Sequence, residues 1–338
     1  MRILITRTDR IGDVILSTPV IKAVRDKYPD AHIAFCVQPH GFEILDRNPY
    51  LNEVILYDKK GKHGNIFGII GFIFKLRRKK FDLAIILHPT NMINLACFFA
   101  GIPRRVGYNR KLGFLLTDKI LHEKQKGEKH ELEYTLDVVR HIGIEPLDKK
   151  LYMSLHEDTE RKVQEIFDKN GIERTKRIIC IHPGASCDSK KWPVEFFSDL
   201  IDMLSSKYGA KIILVGGEND GALGKKIAET INVNALNLIG KTTLSVLAGI
   251  LSKARVFISN DSGPVHIAVS VGTPVIDIFG RNDPGLSPKR WGPLGPEDVV
   301  LHKSAGCIKC LAHNCKRDFA CLRAITVDEV LRASEKFL

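Results

Sequence analysis

The chain has 338 residues, a net charge of +12, and 27% charged residues. Its length favours two domains over one, and its composition is that of a globular protein. It contains no run of about eighteen apolar residues, which excludes a membrane-spanning helix. Its first residues enter a strand and do not resemble a signal peptide, so we expect a cytoplasmic protein.

The positive charge is concentrated in the first half. Residues 1–150 contain 26 Lys and Arg against 17 Asp and Glu, whereas the remainder contains 25 against 22. This excess predicts an anionic partner, such as a phosphorylated lipid, a membrane surface or nucleic acid, although it also favours solubility.

The first predicted elements are a strand at 3–6, an amphipathic helix at 14–28 and a strand at 31–37. This order is Rossmann-like, but the first loop lacks the glycines of a dinucleotide-binding motif, which disfavours an oxidoreductase. The loop contains Asp9 and Asp13 instead. Asp13 is predicted either to act as a general base or only to cap the helix.

A helix predicted at 65–78 combines an apolar run with a basic end. Residues 66–74 are apolar or glycine, and Lys75, Arg77, Arg78, Lys79 and Lys80 follow. Such a helix either lies on an anionic membrane surface or packs on the sheet with a solvated end.

The rest of the first half continues the alternation of strands and helices. A buried strand at 83–87 ends in His88, and helices are predicted at 92–100 and from His130 to about 142. The segment around 145–157 is a plausible crossover into a second domain.

The second half places a polar loop after each of four predicted strands, at 182–186, 216–220, 240–243 and 261–263. Because the carboxyl ends of parallel strands share one edge of a sheet, these loops predict a nucleotide pocket. The first loop continues to Lys190 and Lys191, whose ammonium groups suit a diphosphate. Taken alone, the turn at 261–263 would more often be an ordinary capped turn between a strand and a helix.

The eight cysteines do not indicate disulfides in a cytoplasmic protein. Four of them have the spacing Cys307-x2-Cys310-x4-Cys315-x5-Cys321. This spacing is typical of a compact four-thiolate site for zinc or iron, and the alternative is reduced thiols packed in a small C-terminal subdomain.

Several motifs occur together along nearly the whole chain. They are Arg7-x-Asp9-x-x-Gly12-Asp13-x5-Pro19, His182-Pro183-Gly184 leading to Lys190-Lys191-Trp192-Pro193, Gly216-Gly217-Glu218, Asn260-Asp261-Ser262-Gly263-Pro264-x-His266-x-Ala268, and the terminal cysteines. In these motifs the chain resembles glycosyltransferase family 9, the ADP-heptose:lipopolysaccharide heptosyltransferases, and looks more like heptosyltransferase II than heptosyltransferase I.

The resemblance implies an α/β fold of the GT-B class, with two Rossmann-like domains facing across a cleft. The N-terminal domain, residues 1–155, would bind the acceptor. The C-terminal domain, residues 156–338, would bind the nucleotide sugar, and its final helix can cross back to the first domain.

The resemblance also implies an inverting transfer of heptose from ADP-L-glycero-β-D-manno-heptose to the lipopolysaccharide inner core, with no catalytic metal or other cofactor. The partners would be the ADP-heptose donor, a phosphorylated core–lipid A acceptor and the inner face of the cytoplasmic membrane, where the protein would be peripheral; no nucleic acid is expected. One alternative is a family member that heptosylates a protein or another glycan. Another is a non-catalytic nucleotide-sugar-binding module at the membrane surface.

The site residues implied in this way fall into four groups. Asp13 and Lys190 are catalytic, with Asp13 as the base. The donor-binding residues are Ser186, Lys190, Glu218, Thr242, Asp261, Ser262, Gly263 and His266. The acceptor-binding residues are Arg10, His88 and Arg105. The candidate metal ligands, which rest on the cysteine spacing, are Cys307, Cys310, Cys315 and Cys321.

Overall fold

A computed structural model describes residues 1–173 and 177–338. They form two compact units, of which the first is Met1–Lys124 with Lys129–Ser154 and the second is Gln125–Glu128 with Leu155–Leu338. The boundary near 154 lies beside the predicted one, whereas the transfer of 125–128 to the second unit was not predicted. This segment packs closely there, since a Cβ on Gly127 would overlap the Pro284 carbonyl.

The first unit is built on a six-stranded parallel sheet. Its strands are β1 Arg2–Thr6, β2 His32–Val37, β3 Glu53–Leu56, β4 Leu83–Ile86, β5 Arg104–Tyr108 and β6 Asp118–Ile120. Its helices are α1 Ile11–Ile15, α2 Thr18–Lys27, α3 Phe42–Leu45, α4 Ile66–Arg78, α5 Asn91–Phe99 and α6 Glu131–Arg140.

The second unit also contains a six-stranded parallel sheet. Its strands are β7 Ile178–His182, β8 Lys211–Leu214, β9 Leu236–Asn237, β10 Val256–Asn260, β11 Val275–Phe279 and β12 Val299–His302. Its helices are α7 Glu157–Lys169, α8 Val194–Tyr208, α9 Gly221–Thr230, α10 Leu244–Leu251, α11 Gly263–Ser270, α12 Pro288–Trp291, α13 Ala320–Arg323 and α14 Val327–Glu335.

Both sheets have the same strand order. The first is β3-β2-β1-β4-β5-β6 and the second is β12-β11-β10-β7-β8-β9, which is the same arrangement read from the other edge. The order reverses between β1 and β4 in one unit and between β7 and β10 in the other. Open α/β sheets bind ligands outside the carboxyl ends of the strands at this switch point. The predicted fold class, α/β with two Rossmann-like domains, is confirmed.

The buried strands explain why the sheets form. All positions of β7, β10 and β11 are buried, and these strands are rich in Ile, Val and Phe, as is typical of parallel strands covered on both faces. Within the described residues, none of the helices has the length and apolarity needed to cross a bilayer.

Two parts of the helical structure differ from the prediction. The helix predicted at 14–28 is divided into α1 and α2, because Pro19 lies in the first turn of α2 and cannot continue a preceding helix. Helix α9 was not predicted. The final helix, α14, buries Val330 and Leu331 in the hydrophobic core of the second unit and packs on α8 there, and its crossing back to the first unit stays a prediction.

Candidate functional site

Arg7 is the centre of a buried charge cluster at the switch point of the first sheet. Its guanidinium donates hydrogen bonds to Asp9 (2.8 Å), to Glu131 (3.3 Å) and to Asp13. Lys124 donates to the same Glu131 oxygen at 2.7 Å. The cluster therefore holds three carboxylates against two cations, and sequence reasoning did not identify Glu131 or Lys124 because they lie more than a hundred residues from Arg7.

Asp13 is held as a buried carboxyl group. Burial and the negative charge of Asp9 raise its pKa, the positive charge of Arg7 opposes both effects, and together they bring the pKa to about 6. Asp13 is the third residue of α1, whose N-cap residue is Arg10, and its side chain bonds to Arg7. The alternative that Asp13 only caps a helix is therefore wrong.

The three predicted acceptor residues occupy different positions. His88 follows β4 near the same edge as Asp13, with Nδ1 3.8 Å from an Asp9 oxygen. Burial lowers its pKa to about 4, helped by the positive charge of Arg7, so the imidazole is neutral at pH 7. Arg10 is exposed just before α1.

Arg105 does not join this group. It lies in the first half of β5, paired in register with Ala84 of β4, at the amino-terminal edge of the sheet. Its guanidinium donates to the carbonyls of Leu115 (2.7 Å) and Ile102. Arg105 thus lies at the edge opposite to the one where ligands of such sheets bind, and its role in acceptor binding stays a prediction.

In the second unit, two cations surround Asp261 directly after β10. The Lys190 ammonium lies 3.1 Å from both the carboxylate and the backbone carbonyl of Asp261. Arg281, just after β11, donates to the same carboxylate oxygen at 2.5 Å. Asp261 is thus compensated in charge and does not oppose a bound diphosphate. Arg281 was missed because a lone arginine after a strand carries no recognisable spacing.

Asp277 lies in β11 beside this cluster, in register with Ser259 of β10. It is almost fully buried, and neither of its carboxyl oxygens has a hydrogen-bond partner. Burial raises its pKa well above the ordinary value, and the negative charge of Asp261 adds to the effect. The raised pKa favours the uncharged form of Asp277, and the two cations Lys190 and Arg281 exceed the charge of Asp261 by one.

Asn260 fixes the loop that carries Lys190. Its side-chain amide donates to the Pro183 carbonyl at 2.7 Å, and its oxygen accepts from the Trp192 backbone N–H at 3.0 Å. One side chain at the end of β10 thus fastens both ends of the 183–192 loop. This ordering reduces the entropy that Lys190 would lose on binding an anion.

A second network joins the loops after β7, β8 and β10. The His182 ring bonds to Ser259 (3.2 Å) and Ser262 (3.1 Å) through Nδ1, and its Nε2 lies 3.5 Å from Asp220. The interaction with His182 lowers the pKa of Asp220. Ser262, the N-cap residue of α11, makes no side-chain bond to that helix.

The other predicted donor residues lie at the same edge of the second sheet. Gly263 begins α11, His266 is buried in it, and Glu218 is exposed in the turn after β8. Thr242 is half-buried just before the N-cap residue of α10. Ser186 is exposed, and its hydroxyl lies near the Cys187 sulfur at 4.0 Å, outside the charge cluster.

The cysteine segment lines a cavity instead of forming a metal site. Cys307, Cys310, Cys315 and Cys321 line a cavity of about 310 Å³. Among the described residues, no group of three or more His, Cys, Asp or Glu side chains converges to hold a metal ion. All four are free thiols, and Cys307 is exposed. The donor set therefore does not fit the predicted zinc or iron, because a structural site needs four converging ligands.

Comparison with known proteins agrees with the family resemblance found in the sequence. A sequence profile of glycosyltransferase family 9 (heptosyltransferase) matches residues 70–320. Lipopolysaccharide heptosyltransferase 3 of Escherichia coli strain K12 is 29% identical over 335 residues, 97% of this chain and 95% of that protein. Lipopolysaccharide heptosyltransferase 2 of the same strain is 26% identical over 326 residues, 90% and 89% of the two chains. The resemblance found in the sequence is confirmed, while the assignment to one branch stays a prediction.

Solved structures share the fold over the full length. A family 9 glycosyltransferase from Veillonella parvula has a TM-score of 0.89 and 25% identity, covering 99% of this chain and 96% of that one. E. coli heptosyltransferase WaaC, solved with ADP-2-deoxy-2-fluoro heptose, has a TM-score of 0.74 and 19% identity, covering both chains completely.

Proposed function

Because the chain belongs to glycosyltransferase family 9 (heptosyltransferase), we propose that it transfers heptose from ADP-L-glycero-β-D-manno-heptose to the inner core of lipopolysaccharide. The acceptor is proposed from the names of the relatives at 29% and 26% identity. The donor is proposed from the ADP-heptose analogue in WaaC, a protein of the same fold.

Asp13 carries the proposal. It is a carboxyl group at the carboxyl edge of the first sheet, with a pKa raised to about 6. A base with this pKa is ionised at neutral pH and still takes up a proton more readily than an ordinary aspartate. It removes the proton of the acceptor hydroxyl as that oxygen attacks the anomeric carbon from the face opposite the leaving diphosphate, so the configuration is inverted.

The second unit supplies positive charge for the leaving group. Negative charge grows on the ADP diphosphate as the glycosidic bond breaks, and fixed cations are most effective at that stage. Lys190 has an ammonium donor to spare beyond its two contacts with Asp261. Lys190 and the first-turn amides of α11 therefore stabilise the diphosphate without a metal ion.

The remaining site residues take supporting roles. Glu218 and Thr242, in adjacent loops after β8 and β9, contact the ribose and the adenine. Arg10 and neutral His88 contact the acceptor near Asp13. A purely nucleotide-binding module is disfavoured because it gains nothing from burying a carboxyl group in the charge cluster around Arg7.

The proposal is tested by incubating the purified protein with ADP-heptose and deeply truncated core lipid A, with and without EDTA. We expect ADP release, a mass increase of one heptose, an α-linked product by NMR, and no effect of EDTA. Consumption of another nucleotide sugar in place of ADP-heptose would refute the donor. Heptose found only on protein would refute the lipopolysaccharide acceptor.

A further inference from the structure

Helix α4 is apolar on two opposite faces, of which only one is covered. Phe72 and Leu76 are 2% and 1% exposed and pack into the core of the first unit. The other face consists of Ile66, Phe67, Ile70 and Phe74, which are 61%, 81%, 43% and 56% exposed. At 3.6 residues per turn these four side chains form one stripe. We call this stripe the exposed apolar face.

Further aromatic side chains are exposed on the neighbouring elements. Helix α5 packs beside α4 and ends with Phe98 and Phe99, which are both exposed. Phe114, also exposed, lies in a turn that packs on α5. Isolated exposed apolar residues are common, but exposed aromatic side chains on three elements that pack together indicate an interaction surface.

Cations lie at both ends of the exposed apolar face. Residues 59–80 contain eight Lys and Arg and no Asp or Glu. Lys79 is paired with Glu53 at 2.6 Å. The other seven are exposed, and no ion pair to them exists within the part of the chain that the structure describes; they are Lys59, Lys60, Lys62, Lys75, Arg77, Arg78 and Lys80.

Hydrogen bonds and packing contacts hold the loop before α4 in place, and its lysines are exposed to solvent. The Asp58 carboxylate accepts the backbone N–H groups of Gly61 (2.9 Å) and Lys62 (3.2 Å). His63 is buried and stacks on Tyr57, with ring centroids 5.5 Å apart. Gly68 of α4 lies against the Lys62 carbonyl so closely that a Cβ there would overlap it. The loop therefore holds its lysines beside the first turn of the exposed apolar face.

We propose that the exposed apolar face and these seven cations bind the surface of an anionic lipid bilayer. Aromatic side chains enter the interface between headgroups and acyl chains, while the lysines and arginines bind anionic headgroups. A second copy of this chain is a poorer occupant, because pairing two such surfaces would bring their unpaired cations together. The inference concerns where the protein works and does not depend on the sugar it transfers.

Vesicle co-sedimentation of the full-length protein tests the proposal. We expect binding to phosphatidylcholine vesicles that contain phosphatidylglycerol, weaker binding in high salt, and little binding to phosphatidylcholine alone. Phe67→Ser with Phe74→Ser should reduce the affinity by roughly tenfold or more. Arg77→Gln with Arg78→Gln should reduce both the affinity and its salt dependence.

Two control variants remove comparable exposed groups elsewhere. Leu147 is 80% exposed in the first unit, and Lys225 and Lys226 are exposed on α9. Leu147→Ser, and Lys225→Gln with Lys226→Gln, should bind vesicles like the wild type. Unchanged melting temperatures and ADP affinity show that the α4 variants are folded.

Two results would overturn the proposal. One is equal vesicle binding by the wild type and the Phe67/Phe74 variant. The other is a wild type that stays in the supernatant but forms a concentration-dependent dimer, by analytical ultracentrifugation, which the same substitutions abolish.

Discussion

Asp9 raises the pKa of Asp13 and Arg7 lowers it, and the effect of burial, which also raises this pKa, is larger than either. Because a general base must be ionised, we expect kcat/KM to rise with pH on the acid side, with an apparent pKa near 6. Asp9→Asn removes the negative charge that raises the pKa of Asp13, so this limb should move to lower pH. A pH profile of the initial rate measures the shift, and identical profiles for the two proteins would contradict the assignment.

Lys190 and Lys191 are adjacent but have different surroundings. Lys190 is buried against Asp261, whereas Lys191 is exposed and pairs with Asp188 at 2.8 Å. Lys190→Ala should weaken ADP binding by about tenfold or more, since a charge-assisted hydrogen bond to the diphosphate is lost. Lys191→Ala is the matched control and should bind ADP normally by calorimetry. Equal losses in both variants would refute the distinction.

Asp277 should lower stability at neutral pH. Burial raises the pKa of Asp277 in the folded state, so its carboxyl group costs no stability at a pH below the unfolded-state pKa. As the pH rises from the unfolded-state pKa towards the folded-state pKa, the unfolded chain ionises first and the free energy of unfolding falls. Asp277→Asn cannot ionise and should raise the melting temperature at pH 8, with a smaller difference at pH 4. A variant that is less stable at pH 8 would show that the carboxyl group has an essential partner.

At the scale of elements, loop packing depends on individual glycines. A Cβ on Gly184 would overlap the Asp220 carboxylate, whereas one on Gly221, at the start of α9, meets nothing within 4 Å. Gly184→Ala should therefore destabilise the protein by about 1–3 kcal/mol through overpacking and weaken ADP binding. Gly221→Ala should be neutral or slightly stabilising. Thermal unfolding of the two variants checks this, and equal melting temperatures would contradict it.

The strand–loop–helix order could be predicted from the sequence because buried β-branched runs and cap residues are local signals. Thr243 is an example, since this threonine directly precedes an apolar run and, as the N-cap residue of α10, accepts the Val246 N–H at 3.3 Å. Arg281 and Glu131 could not be found in this way, because their partners are distant in sequence. The edge at which Arg105 lies was not evident, because the sequence does not show at which end of a strand a residue falls. The cysteine spacing matched a metal site but did not determine whether the sulfurs converge.

At the scale of the whole molecule, two sheets with the same strand order place their functional loops at equivalent positions. In one unit the switch point carries Asp13 and His88, and in the other it carries Lys190 and Asp261. The alternation of strands and helices was enough to predict parallel sheets, because parallel strands require crossover helices. Residues 125–128 belong to the second unit because of tertiary packing, and no local sequence pattern indicates this.

Heptosyl transfer with Asp13 as the base is tested most directly by comparing Asp13→Asn with the wild type, using ADP-heptose and truncated core lipid A. The substitution keeps the size of the side chain and removes its ability to accept a proton. We expect ADP affinity within a few-fold of the wild type and a transfer rate lower by roughly a thousandfold. Transfer at a near-normal rate, with donor binding intact, would contradict the assignment of Asp13 as the base.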